Sequence, residues 1–414
     1  MFFLFLKKYF QASSCLGILA ISFLQTPGYA QRVIEDGTLP TRVTTTDNLN
    51  FTIDSISNQN RAGNNLFHSF KEFSIPTGGS AIFNNSTDVV NIINRVTGGN
   101  ISNIDGLIKA NGNANLFLIN PAGIIFGKNA RLDIGGSFFG STAESIKFTD
   151  EIEFSAIDTT TPPLLNINVP LGLQMGSNSG AIEVQGDGYT SNSDDNNTFS
   201  PFIVTSVNGL RVKSGNTLAL VGNEVSLNGG VVAADSGRIE LGGANSGFIN
   251  LNSTSEGWIF NYENVENFGN INLDSQALVD SSGIGSGYIQ LQAKNIVIDG
   301  GSKVFIQNRG MTGGGEINAT ATDSIEILGN SPDKKFASRF LTTNLGTETA
   351  AQILISTPHL LVSQQNGILS ETFSSGKGGS ININAFELLQ IDNTSLLSQD
   401  LNTNISAMIV DSGK

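Results

Sequence analysis

Few residues of this chain are of a type that does chemistry, and their spacing does not group them. The two histidines, His68 and His359, stand far apart. Two imidazoles joined by carboxylates can hold a metal, but neither has a second donor at ligand spacing. Asp194 and Asp195 lie in a turn-rich segment, residues 185–200 (QGDGYTSNSDDNNTFS). Calcium takes about six to eight oxygens from a shaped loop, and that spacing is missing, so the segment reads as an exposed loop. Serine and aspartate abound, yet no Gly-x-Ser-x-Gly elbow presents a nucleophile. No glycine-rich phosphate loop stands between a strand and a helix. Glycoside hydrolysis needs two carboxylates held across one bond, and turns explain the aspartate pairs equally well. The only cysteine is Cys15, which leaves no disulfide and no cysteine metal site. The reading is of a chain with no catalytic residues, no metal ligands and no cofactor.

The first thirty residues read as a cleaved signal peptide. Lys7 and Lys8 form a basic start, Leu16 to Leu24 a short apolar run, and Gly28-Tyr29-Ala30 places small residues for cleavage after Ala30. Cys15 precedes most of the apolar run, the wrong side for a lipid-anchored cysteine. Beyond it no stretch is long and apolar enough for a membrane-spanning helix. The chain carries 36 acidic against 22 basic residues, a net charge of −14, which repels nucleic acid and anionic lipid.

The elements are short. Helical spacing of apolar residues is almost absent. What recurs are β-type segments of three to five residues: 116–119 (LFLI), 124–126 (IIF), 218–221 (LALV), 238–241 (RIEL) and 288–291 (YIQL). Glycine, asparagine, aspartate and serine separate them, as turns require. Four starts align: Gly237-Arg238-Ile239, Gly287-Tyr288-Ile289, Gly315-Glu316-Ile317 and Gly379-Ser380-Ile381. Within the units Ile289 leads to Ile296 and Val304, Ile381 to Leu388 and Leu396, and Ile317 to Ile325. This is a solenoid pattern. Three strands per coil return the chain to its start after roughly 20–28 residues. Coils stack about 4.8 Å apart by parallel pairing, with interior Ile, Leu, Val and Phe in columns and asparagine amides in ladders at corners. The fold class is all-β, a right-handed parallel β-helix with an N-terminal capping region.

Residues 51–140 carry a more specific pattern. Asn65-Leu66-Phe67-His68-Ser69-Phe70 with Phe73, Ile82-Phe83-Asn84-Asn85-Ser86, and Val90 to Gly99 with Asn94 and Arg95 lead to Asn113 through Gly127, which contains Asn115 and Asn120-Pro121-Ala122-Gly123. Leu132 to Phe138 continues it, followed by Asn168 to Leu173 and Gly215 to Gly222. These stretches closely resemble the secretion domain of filamentous-haemagglutinin-type exoproteins, the two-partner secretion family, in its cyanobacterial form. The resemblance is good over roughly residues 31–245. It implies secretion-motif roles for Asn84, Asn85, Asn94, Asn115, Asn120, Pro121 and Gly123. The family motif is usually Asn-Pro-Asn-Gly; Ala122 replaces the second Asn, so no side-chain role carries over there. The direct physical job of Asn120 to Gly123 is a turn between two strands. His68 reads as a buried, hydrogen-bonded residue of the capping region.

The resemblance implies a signal peptide at 1–30, a secretion-domain core at 31–145, a continuation at 146–205 with the loop at 185–200, and repeat coils at 206–414. It implies a route through the periplasm, recognition by the periplasmic domains of an outer-membrane barrel transporter, and a secreted or cell-surface exoprotein. An adhesive or structural role follows, with a cell-surface or carbohydrate receptor as a possible partner. The alternative is a carbohydrate-active β-helix lyase or hydrolase. The chain stops soon after a repeat with no polar cap in view, although solenoid ends need one, so a continuation or a split product is expected.

Overall fold

The computed structural model describes residues 32–392, except 151, 160–162, 193–194, 196–199, 207, 286 and 364–366, and the backbone of 405–408. The signal segment with Cys15 and Ala30, Asp194 and Leu396 lie outside the described residues. No α-helix occurs among the described residues; a single 3-10 turn spans Asn58–Asn60.

The fold is a parallel β-helix with three faces. The first face stacks 65–73, 91–96, 115–119, 138–141, 217–222 and 238–243, then 288–292, 316–320, 352–356, 381–385 and 405–408, each paired in parallel with the next. We number coils 1 to 11 by these strands. The second face runs through 102–104, 124–126, 182–185, 225–228 and 271–274 and continues to 388–392. The third face begins at 50–55 and 80–83, passes 107–110 and 131–133, and resumes from 210–212 to 367–372.

In-register stacking explains the column of apolar residues. Leu66, Ile92, Leu116, Phe138, Leu218, Ile239, Ile289, Ile317, Ile353 and Ile381 succeed one another inside the first face, all buried. Ile289, Ile296 and Val304 each point inward from a different face of coil 7, as their spacing predicts. The Ile381 series slips by one. Leu388 is 48% exposed, and Leu389 instead pairs with Leu360 and packs against the core. The corner between Ala385 and Leu388 holds two residues where the coil before holds one. One added residue reverses the in–out parity of everything after it.

At the N-terminal end, 33–35 runs antiparallel to 65–73, and 41–44 forms an antiparallel pair with 50–55. These strands cover coil 1 and are the cap. Three excursions, residues 142–181, 186–209 and 244–270, then leave the helix and return over its outside. Residues 142–181 and 244–270 form a lateral antiparallel sheet in the order 153–155, 145–148, 170–175, 244–252 and 257–268. It lies on the outer side of the first face and builds a second core with Phe67, Ile93, Phe117, Phe139 and Trp258. Residues 186–209 form the other excursion. In the expected loop at 185–200, Gln185, Asp187, Thr190 and Asn192 are exposed, but Tyr189 is 2% exposed and packs, together with Phe202 just beyond the loop at 5%, on Leu278, Phe305 and Leu341 of the third face. Two aromatic rings in a polar segment had surface to bury, and the third face supplied it.

Candidate functional site

The motif residues of coils 1 to 3 do not converge on one pocket. They bind coil to coil. Asn91 Nδ2 donates to Asn65 Oδ1 at 2.8 Å, and Asn115 Nδ2 donates to Asn91 Oδ1 at 2.9 Å. The Asn65 amide reaches the carbonyls of Asn166 and Asn168, at 2.9 and 2.7 Å. Upward, Asn115 Oδ1 accepts from the Ser137 N–H, Ser137 Oγ from the Thr217 N–H, and Thr217 Oγ1 from the Trp258 N–H. One chain of hydrogen bonds therefore crosses coils 1 to 5 and ends in the lateral sheet on both sides. An amide suits this position because it donates and accepts along one axis.

Asn85 does the same at the neighbouring corner. Its Oδ1 accepts from the Asn111 N–H at 2.9 Å, and its Nδ2 donates to the Asn111 carbonyl at 3.1 Å. Asn84 is exposed and donates to Asp54 of the cap at 2.8 Å. Asn94 is fully buried and donates to the Phe117 carbonyl at 2.8 Å.

Asn120 to Gly123 is the expected turn. The Gly123 N–H donates to the Asn120 carbonyl at 3.0 Å, and Asn120 Oδ1 accepts from the Ala122 N–H. Asn120 Nδ2 meanwhile holds the Asn100 carbonyl and Ser102 Oγ one coil below, both at 2.9 Å. The Pro121 carbonyl accepts from the Gly180 N–H at 2.7 Å. Gly123 has φ +125°, and a Cβ there would sit 3.1 Å from the Ala181 carbonyl oxygen. Both facts call for glycine. Ala122 makes no side-chain hydrogen bond, as its chemistry requires.

His68 points into the interior and lies 3.1 Å by Nδ1 from Thr41 Oγ1 of the cap. Burial outweighs the attraction of Asp54 and pushes the imidazole down to about 3, so it is neutral at ordinary pH.

Arg95 was quoted in a motif but given no role, and the structure makes it a hub. It is 1% exposed. Its Nε donates to Ser69 Oγ at 2.8 Å, one Nη to Thr38 Oγ1 at 3.0 Å and the other to the Ser155 carbonyl. The guanidinium lies 4.7 Å over the Phe154 ring. Burial pulls its basicity down, opposed by Asp36 and Asp158. Asp36 closes the group. Burial pushes its carboxyl up, but hydrogen bonds from Ser69, Thr38 and Thr97 outweigh this and hold it below the ordinary carboxylate range. Cap, coils 1 and 2 and lateral sheet thus meet at one arginine. The available signal was a cation in the strand 91–96, otherwise apolar or amide.

The two histidines do not meet: His359 lies on the outer second face of coil 9. Its Nε2 is 3.2 Å from Glu387 Oε2 and its Nδ1 3.0 Å from the Asp323 carbonyl. It borders a groove of about 580 Å³ lined also by Asn272, Asn295, Ser324, Glu326 and Leu361. Among the described residues no group of three or more His, Cys, Asp or Glu could hold a metal ion.

Comparison with known proteins gives one family. The profile of the TPS secretion domain matches residues 31–291. No curated protein matches the chain by sequence. Among solved structures the chain is similar to the secretion domain of HMW1 from Haemophilus influenzae, with 17% identity, a TM-score of 0.45, and 92% of this chain and 99% of that chain covered. It is similar also to the filamentous hemagglutinin secretion domain, with 13% identity, a TM-score of 0.40, and 88% and 100% covered.

Proposed function

Because this chain belongs to the family of the TPS secretion domain, we propose that its first coils, within residues 31–145, are the part its outer-membrane transporter recognises. A chain carrying this domain is an exoprotein of a two-partner secretion system, and an outer-membrane transporter is its partner. The finer route is our reading: a signal peptide cleaved after Ala30, passage through the periplasm, and recognition of the extended N-terminal part by the transporter's periplasmic domains. Residues 146–205 and 206–414 then follow as the continuation and the repeat coils. The observation that supports this most is the use made of the motif residues. Asn65, Asn85, Asn91, Asn115 and Asn120 spend their polar groups on neighbouring coils, which builds a folding unit rather than a reaction site. Deleting residues 31–140 is expected to abolish appearance of the chain outside cells that carry the transporter. Normal export of the deleted chain would refute the assignment.

Outside the cell we propose an adhesive or structural surface role, with a cell-surface or carbohydrate receptor. The half-exposed polar column on the second face, with its groove beside His359, supports this reading. The competing reading is a carbohydrate-active enzyme, since His359 stands there between Asp323 and Glu387. Incubating the exported chain with a panel of acidic polysaccharides separates the two. Retention without turnover supports the adhesin, and chain cleavage supports the enzyme.

A further inference from the structure

A second buried charged group lies on the outside of the third face, far from the motif coils. Lys303, in the strand Lys303–Asn308, is 0% exposed. Its Nζ is 2.8 Å from Asp195 Oδ2 and 2.9 Å from the Ala337 carbonyl. Asp195 belongs to the 186–209 excursion, 108 positions earlier in the chain. The rings of Phe202 and Tyr189 stand 5.1 and 6.0 Å from the amine, and Phe305 and Phe336 complete the aromatic wall. Two donors hold the carboxyl from its other sides: the Ala337 N–H at 2.7 Å from Oδ2 and the Arg339 guanidinium at 3.2 Å from Oδ1.

We propose that Lys303 and Asp195 condense to an intramolecular isopeptide bond. The amine of Lys303 attacks Cγ of the Asp195 carboxyl, the N–C bond forms, the C–O bond breaks, and one water leaves. No oxidant, reductant or co-reactant is needed. The step requires a neutral amine and a protonated carboxyl, which together carry the same protons as the ion pair; one transfer across the 2.8 Å hydrogen bond interconverts them. In a dry aromatic site the Lys303 ammonium lacks the solvation that holds its charge. Burial accordingly pushes the Lys303 ammonium down to about 8, against the pull of Asp195. The Arg339 and Ala337 donors face the oxygens on which charge grows as the carbon becomes tetrahedral, the arrangement that stabilises such oxyanions. Fixing the two groups in contact removes the entropic barrier of bringing them together.

Such a bond would close a long loop and staple the excursion to coil 7, in a chain whose only cysteine is Cys15. A cross-link of this kind stabilises by restricting the unfolded chain.

The test is the denatured mass of the folded, exported chain, followed by tryptic digestion. The expected result is an intact mass one water below that of the processed sequence. Trypsin should also fail to cut after Lys303, leaving the 295–309 peptide joined to the 148–211 peptide. Lys303→Arg and Asp195→Ala should each restore the full mass. A full mass for the unaltered chain, with Lys303 cut normally, overturns the proposal. So does a mass one water low with the two peptides separate, as an aspartate–glycine succinimide would give. A link from Lys303 that survives in Asp195→Ala overturns the choice of Asp195.

Discussion

Asn91 is the middle rung of the amide ladder, and two substitutions there separate a ladder from ordinary packing. The side chain is 3% exposed, donates to Asn65 and accepts from Asn115. Asn91→Ala leaves Asn65 Oδ1 and Asn115 Nδ2 without partners. A buried polar atom so stranded costs about 1–3 kcal/mol, and Asn115 is only partly buried, so the loss should total about 2–4 kcal/mol. Asn91→Asp keeps the shape and the acceptor but turns the donor toward Asn65 Oδ1 into a second acceptor. Its carboxylate would be buried against a carbonyl oxygen, which raises the folded pKa above the unfolded value near 3.9. The sign follows: the aspartate form is least harmful below pH 4, where a protonated carboxyl can donate to Asn65, and more harmful as pH rises through its folded pKa. Trp258 is the only tryptophan, and its N–H ends the ladder, so its fluorescence reports the structure at issue. Urea unfolding of the three chains at pH 4 and pH 7 is the assay. The reasoning fails if Asn91→Ala costs under about 0.5 kcal/mol, the range of neutral surface changes. It fails equally if Asn91→Asp shows no greater pH dependence than the unaltered chain.

Other outcomes follow from the same geometry. Glu240 is fully buried, and burial outweighs its pairing with Arg238 to raise its carboxyl from 4.5 to about 8. It therefore contributes stability fully below pH 4.5 that is lost as pH rises toward 8, and Glu240→Gln should remove that slope when unfolding is followed across the range. His68 acts with the opposite sign: its folded pKa lies near 3 rather than 6.5, so its stability is present above pH 6.5 and lost as pH falls, and His68→Gln should flatten it. The two slopes oppose between pH 4.5 and 6.5, so each is measured as a difference between variant and parent. Arg95→Met strips the hydrogen bonds to Ser69, Thr38 and the Ser155 carbonyl; a loss of about 2–4 kcal/mol is expected, with early proteolysis of the cap, and an unchanged unfolding curve would count against the hub. Leu389→Ser should destabilise clearly while the exposed Leu388→Ser stays within about 0.5 kcal/mol; equal effects would contradict the register.

What the sequence reveals is what repeats. Ile289, Ile296 and Val304 announce the three inward positions of a coil, because parallel stacking forces like residues into register. The turn at Asn120–Gly123 is legible because its proline and glycine have conformational jobs independent of tertiary context. The coil at 352–356 escapes notice because Ala350-Ala351 stands where the others carry paired small turn residues. Its Ile353–Ile355 alternation nevertheless stacks on Ile317 and Ala319. The lateral sheet is hidden for a different reason. Trp258, Phe260 and Tyr262 recur at every second position, with Asn261 and Glu263 on the other side, just as a coil strand does, and alternation states that one side is buried without stating against what. The length between coils was the usable signal: residues 142–181 are too many for a corner. Arg95 and Lys303 are illegible because a cation's burial depends on partners 57 and 108 positions away.

The excursions change how such a helix must form. A bare solenoid grows by nearest-neighbour stacking, each coil needing only the one before it. Here the outer sides of the early coils remain open until later chain arrives. The stacked rings of Phe117 and Phe139, 4.1 Å apart, are covered edge-on by Trp258, which belongs to the excursion after coil 6. Asn65 of coil 1 waits for the carbonyls of Asn166 and Asn168, and Asp195 waits for Lys303 of coil 7. A chain delivered N-terminus first can therefore stack its interior at once but cannot finish its exterior until far downstream residues have followed. Contacts of such long range are slow to form, which keeps the early coils incomplete while the remainder is still in transit. With the unfolded passage proposed above, that delay would place the closing of the structure on the far side of the membrane.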